Sequence, residues 1–378
     1  MKKYFWSGLI GLLLFEIANV YFIMPMPGSQ QMNSIDLAYF LYKWRWIFRG
    51  LFAAMIFLGM FRSQWKRKWS LFFPLAVLAA VLYMTNFVMA ADHMFYQPKK
   101  VSMVSAAENK VDSNRLVIGV SNKGEAKAYP IQFLGYHHQV QDTVGGKPMI
   151  ITYCTVCRTG RVYEPIVNGK HEKFRLVGMD HFNAMFEDVT TKSWWRQVSG
   201  EAITGKLKGE QLPEIFSTQT SLAQWLALNP NSLIMQADPA FIKSYDSTFK
   251  YESGVSKSKL TRTDSLSWKD KSWVIGVQAG KDCKAYDWNQ LRRERLIQDN
   301  IANTPVLLVV SKDDKSFFAF ERPGNAAGFS LVNDTILFAN KRLRIDGKGI
   351  DTSLSLKPLT ASQEFWHSWR TFNPGTLH

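Results

Sequence analysis

Cysteine is nearly absent from this chain of 378 residues: there are three, Cys154, Cys157 and Cys283. Several catalytic signatures are missing altogether. No P-loop, dinucleotide-binding glycine fingerprint, Gly-x-Ser-x-Gly elbow or Cys-x-x-Cys-His haem motif occurs, and those enzyme classes lose their sequence support. Acidic residues are outnumbered, 31 against 46 Lys and Arg, for a net charge of +15. Residues 1–100 account for +8 of it, with eleven Lys or Arg against three Asp or Glu. The basic residues beyond them are scattered rather than clustered among aromatics, which argues against a nucleic-acid partner.

The basic N-terminal region is also the apolar one. Residues 4–24 form a run long enough to cross a bilayer as a helix, interrupted only by residues such as Ser7, Glu16 and Asn19. Residues 46–61 and 71–90 are two further candidates, the first starting within 39–44, with Lys43 and Arg45 snorkelling toward headgroups. Three spans are expected rather than a cleaved signal peptide, because two more apolar runs follow before any globular pattern. Lys2 and Lys3 precede the first span, and the segment Arg62-Ser-Gln-Trp-Lys-Arg-Lys68 precedes the third. By the positive-inside rule the chain enters from the cytoplasm and leaves everything after about Asp92 on the extracytoplasmic side of a plasma (inner) membrane. Thiols there tend to be oxidised or metal-bound.

The remaining length and 46% apolar content suffice for two domains. They are written as two related stretches. Leu116-Val-Ile-Gly-Val, leading to Ala128-Tyr129, recurs as Trp273-Val-Ile-Gly-Val, leading to Ala285-Tyr286, at an offset of 157 that also sets Asp142 on Asp299. Near each end comes a Trp followed by Asn-Pro: Trp225 with Asn229-Pro230, and Trp369 with Asn373-Pro374. The expected organisation is a membrane anchor at 1–92, a first β-rich unit at 111–236, a linker at 237–268 and a second, degenerate unit at 269–378. Strands are expected at 115–120, 126–130, 147–153, 160–163 and 174–176, with a short helix at 221–228. The fold class is therefore transmembrane helices followed by an α+β, mainly antiparallel β-rich region built from two tandem units.

Two of the three cysteines fall in Tyr153-Cys154-Thr155-Val156-Cys157-Arg158, directly after an apolar run. Residues three apart on a strand face opposite ways, so the two sulfurs can converge only if the strand stops at Tyr153 and Thr155-Val156 turns. Such a turn closes a disulfide, cycles as a dithiol or offers two thiolates to a soft metal. Two thiolates alone under-fill a metal site. His137 is the nominated third ligand and His138 the reserve, since a turn at 142–146 folds them back beside Tyr153-Cys154. The metal would be a transition ion: zinc, iron or copper. At the offset of 157, Cys154, Cys157, His137 and His138 fall on Ser311, Asp314, Glu294 and Arg295, which places any site in the first unit. Asp142 recurs in both and is read as turn chemistry. Cys283 aligns with Ala126 and is read as a small buried residue.

With these residues in view, Ala128-Tyr129-Pro130, Tyr136-His137, Asp142, Tyr153-Cys154-Thr-Val-Cys157, Ser193-Trp-Trp-Arg-Gln197 and Gly200-Glu-Ala-Ile-Thr-Gly205 resemble the bacterial family known as domain of unknown function 3179. The family's thiol motif usually reads Tyr-Cys-Pro-Leu-Cys-Gly, similar to knuckles that hold zinc or iron. Here Thr155 replaces the proline, Arg158 the glycine, and His138 stands where the family tends to have Glu. The resemblance implies a fold and a membership, not an activity. Within its segment 180–197, Asn183, Asp188 and Trp195 are candidates to line a pocket near the Cys turn together with Tyr153 and Arg158; the plainer expectation is that Trp194 and Trp195 are core. Two functions stay open. One is a membrane-anchored extracytoplasmic protein with a Cys/His metal-binding or thiol-redox site. The other is a non-catalytic envelope binding or assembly module in which Cys154–Cys157 is a structural disulfide.

Overall fold

The fold is described from a computed structural model that covers residues 1–324 and 328–378. The chain divides into two compact units, Met1–Tyr96 with Glu172–Arg196 and Glu201–Gln211 in one, and Gln97–His171, Gln197–Gly200 and Leu212–His378 in the other.

The first unit holds three helices long and apolar enough to cross a membrane: Lys2–Tyr21, Ile35–Phe61 and Trp69–Val88. The middle helix starts four residues before the earliest expected position, at Ile35, and its 27 residues make it roughly 40 Å long. That exceeds a hydrocarbon core of about 30 Å, so Lys43 and Arg45 can sit within the helix and still reach a polar zone. Small residues let the helices touch: a Cβ at Gly8 would lie 2.8 Å from the Phe52 carbonyl oxygen, and one at Gly59 would collide with Phe5. Glu16, fully buried, receives Nε and Nη2 of Arg49 at 2.6 and 2.8 Å and Nδ2 of Asn86 at 2.9 Å, so one carboxylate ties all three helices together. The same unit carries an antiparallel sheet in the order Ala202–Thr204, Trp194–Arg196, Asn183–Asp188, Phe174–Asp180. Trp194, buried on that sheet, packs on Tyr39 and Tyr42, with ring centroids 5.1 and 5.2 Å away.

The second unit is β-rich. Its five-stranded sheet runs Met103–Val104, Leu233–Met235, Glu125–Pro130, Leu116–Asn122, Thr218–Ser221, antiparallel except between Leu233–Met235 and Glu125–Pro130. A helix, Ile131–His137, connects it to the meander Gln139–Val144, Lys147–Cys154, Thr159–Tyr163. The succession strand, strand, helix, strand, strand occurs again as Trp273–Ala279, Asp282–Asp287, Trp288–Glu294, Leu296–Ile301 and Thr304–Val310.

Matching residues in the two stretches do matching things. Gly119 lies against the Trp225 ring and Gly276 against the Trp369 ring, so closely that a Cβ would collide in either case. Each indole N–H finds a hydroxyl, Ser232 at 2.7 Å and Thr376 at 2.8 Å. Asp142 Oδ2 accepts from the Tyr129 hydroxyl at 2.8 Å and Asp299 Oδ2 from Tyr286 at 3.0 Å, and each carboxylate also meets a lysine, Lys127 or Lys284. Both aspartates therefore sit inside strands as acceptors for a neighbouring strand's Tyr and Lys. This corrects the turn role read from sequence: the turn is made by Gly145 and Gly146, both at positive φ.

The segment 237–268 is packed in places. Tyr245 and Tyr251 are buried in the first core, and Arg115 reaches Asp246 at 3.0 Å and Glu252 at 3.2 Å. Cys283 is half-exposed, not buried as its alignment with Ala126 suggests.

Candidate functional site

The strand Lys147–Cys154 is buried from Met149 onward, which follows from its run of apolar residues with a partner strand on either side. Pairing of Cys154 with Thr159 closes a four-residue turn over Thr155, Val156, Cys157 and Arg158. Arg158 takes a left-handed conformation, φ 60°, which a β-carbon disfavours by about 1–2 kcal/mol. The glycine usual in the resembling motif would take it without strain. Both cysteines are buried thiols, at 0% exposure.

The turn is held by residues from more than a hundred positions later in the chain. The Phe365 N–H donates to the Cys157 carbonyl at 2.9 Å. Lys271 Nζ donates to the Val156 carbonyl at 2.8 Å and lies 3.0 Å from Nε2 of His367, itself 3.2 Å from the same carbonyl. Burial lowers the pKa of Lys271 to about 8, opposed by the charges of Cys157 and Cys154, both within its electrostatic reach. Burial, followed by the Lys271 charge, lowers His367 to about 4. At neutral pH the pair is therefore an ammonium beside a neutral imidazole, with Lys271 donating to Val156 and His367 Nε2 in contact with both. A lysine charge within electrostatic reach of two thiols favours the thiolate form of either.

The two histidines before the meander turn in different directions. His137 Nε2 pairs with the Tyr245 hydroxyl at 2.8 Å, while its carbonyl accepts from Gln97. His138, at φ 59°, sets Nδ1 2.9 Å from the Tyr153 carbonyl, and its own carbonyl accepts the Tyr153 N–H at 2.9 Å. It does lie beside the Cys strand, as a backbone clamp on Tyr153. Among the described residues no group of three or more His, Cys, Asp or Glu side chains is placed to hold a metal ion.

Of the pocket candidates, Tyr153 and Arg158 flank the thiols. Asn183, Asp188 and Trp195 belong to the sheet of the other compact unit. There Asp188 Oδ2 accepts from Thr191 Oγ1 at 2.7 Å, the Ser193 N–H at 3.1 Å and Trp195 Nε1 at 3.0 Å, a closed set that stiffens its own turn. Lys271 and His367 were not singled out from the sequence. A signal for them existed in the sequence: at offsets of 157 and 144 they stand on Asn114 and Ala223, so they differ between the two similar stretches just as the cysteines do.

Residues 96–376 match the family described as Protein of unknown function (DUF3179). No curated protein and no solved structure matches the chain.

Proposed function

Since the chain belongs to the DUF3179 family, whose description assigns no activity, we propose from the site alone that Cys154 and Cys157 form a thiol–disulfide redox pair in a membrane-anchored protein. The observation that carries this reading is Lys271: a half-buried ammonium, fixed by the carbonyl between the two cysteines, with both sulfurs in its field. A structural cysteine pair has no need of such a cation. A redox pair does, because the thiolate is the attacking species.

In the reducing direction one thiolate attacks a substrate disulfide, displacing one of its sulfurs as a thiolate and forming a mixed disulfide. The second cysteine then attacks the first, releasing the other substrate sulfur. The substrate disulfide gains two electrons and two protons, and Cys154–Cys157 is left oxidised by the same amount. Because both sulfurs are buried, substrate reaches them only when the packing around the turn opens.

The positive-inside pattern of Lys2, Lys3 and the 62–68 loop supports a multi-pass anchor in the plasma membrane with the thiol unit extracytoplasmic. The matched Gly–Trp and Tyr–Asp pairs support descent of the two β-rich stretches from one duplicated unit. A second reading, the structural disulfide, is favoured by the complete burial of both sulfurs.

Lys271 provides the test. The ultraviolet absorbance of thiolate against pH should titrate about one unit or more higher in K271M than in the wild type, with K271R restoring the lower value. Identical curves for wild type and K271M would remove the cation from the chemistry and the redox reading with it.

A further inference from the structure

Arg158 and Arg161 lie three residues apart on the Cys hairpin, and each is 3% exposed. They are treated differently. Arg161 meets Glu364 at 2.8 Å and Glu214 at 3.4 Å, and although burial opposes it, those carboxylates hold its pKa above the ordinary value. Arg158 has no carboxylate partner among the described residues, and burial pulls it below the ordinary value. Its guanidinium stacks on the Trp273 ring, 3.6 Å from the centroid. Nε and Nη2 both donate to one oxygen, Gln363 Oε1, at 2.9 and 2.7 Å, and Gln219 Nε2 reaches the same oxygen at 3.4 Å. The end-on edge formed by Nη1 and the second hydrogen of Nη2 is left over.

The groups around that guanidinium share a deficit. Gln363 Nε2, Trp273 Nε1 and the Tyr153 hydroxyl are all buried with no hydrogen-bond partner among the described residues. Gln363 and Trp273 touch Arg158 directly, and Tyr153 lies within its electrostatic reach. The Gln363 amide oxygen already takes three hydrogen bonds, two from Arg158 and one from Gln219, and so does not serve these donors. Buried donors are normally matched and buried charges paired. Glu252 acts on Arg158 and Tyr153 through its charge alone and is itself paired with Arg115; at contact distance the cluster lacks, among the described residues, an acceptor with negative charge. Arg158 also holds a left-handed backbone that glycine would hold without strain, a feature that persists at sites where a side chain has a task.

We propose that Arg158, Trp273, Gln363 and Tyr153 form a binding site for a small carboxylate. Two coplanar oxygens match the end-on guanidinium edge, and a carboxylate is an acceptor throughout, as the three remaining groups require. The site adjoins the thiols in sequence, Arg158 following Cys157, so a carboxylate-bearing molecule held there would be presented to the Cys turn. It does not depend on the redox reading, because none of its four residues is a thiol.

The test is calorimetric titration of the full-length protein in detergent with sodium formate and sodium acetate, against sodium chloride at matched ionic strength. Saturable binding of the carboxylates is expected, with chloride giving none. Arg158→Gly suits the left-handed backbone and should melt no lower than the wild type while losing the binding. Arg158→Lys, which keeps the charge without the fork, should bind about tenfold more weakly or worse. Absence of saturable carboxylate binding in the wild type, an equal response to chloride, or an unchanged titration in Arg158→Gly would each overturn the proposal.

Discussion

His138 shows what burial does to a titratable side chain on this hairpin. Burial, partly offset by the bond to the Tyr153 carbonyl, holds its pKa down at about 4. The folded value lies below the unfolded one, so the unfolded chain binds more protons between about pH 4 and 6.5. Stability should therefore fall as the pH drops through that window, by up to about 3 kcal/mol from this residue once the lower value is passed. His367, also held at about 4, adds a loss of the same sign. His138→Asn tolerates the left-handed backbone and carries no titratable group. Chemical denaturation of this variant at pH 7 and pH 4.5 should show a smaller difference between the two than the wild type shows; an equal difference would place the acid sensitivity elsewhere.

At the scale of elements, much was legible. The strands around Gly119, Tyr129 and Met149 fall within one or two residues of their expected bounds, and the helix Leu222–Leu228 starts behind Ser221, whose hydroxyl accepts the Gln224 N–H as an N-cap. The Cys turn is expected at Thr155-Val156 after a strand ending at Tyr153; the strand runs one residue further, to Cys154, and the turn covers 155–158. Lys271, Gln363 and His367 were not legible. Their roles arise from pairings between Cys157 and Phe365, and between Val156 and Lys271, that no local periodicity encodes. Asp142 was misread for a related reason: an aspartate near glycines suggests a turn, while its partners Tyr129 and Lys127 lie on another strand. The Gly–Trp contacts make a check that covers both stretches. Gly119→Ala and Gly276→Ala should each lower unfolding stability by about 1–3 kcal/mol through overpacking against Trp225 and Trp369. A neutral result at either position would dissolve the likeness between the two.

For the molecule as a whole, the apolar helices and the proposed redox pair make separate demands. Arg49→Ala leaves the Glu16 carboxylate buried among three helices without its cation, a change that costs about 3–5 kcal/mol in buried pairs generally. It should lower the melting temperature in detergent, and adding Glu16→Gln should recover part of the loss. The central claim concerns Cys154 and Cys157, and mass spectrometry of the native protein equilibrated across a series of reduced-to-oxidised thiol buffers tests it most directly, with near-ultraviolet circular dichroism reporting the fold in each sample. The expected result is one reversible two-electron transition, read as loss of two hydrogens from the peptide bearing both cysteines, while the tertiary signal stays constant. A pair that stays in one state across the series, or that changes state only as the tertiary signal collapses, would contradict redox cycling and leave a structural staple.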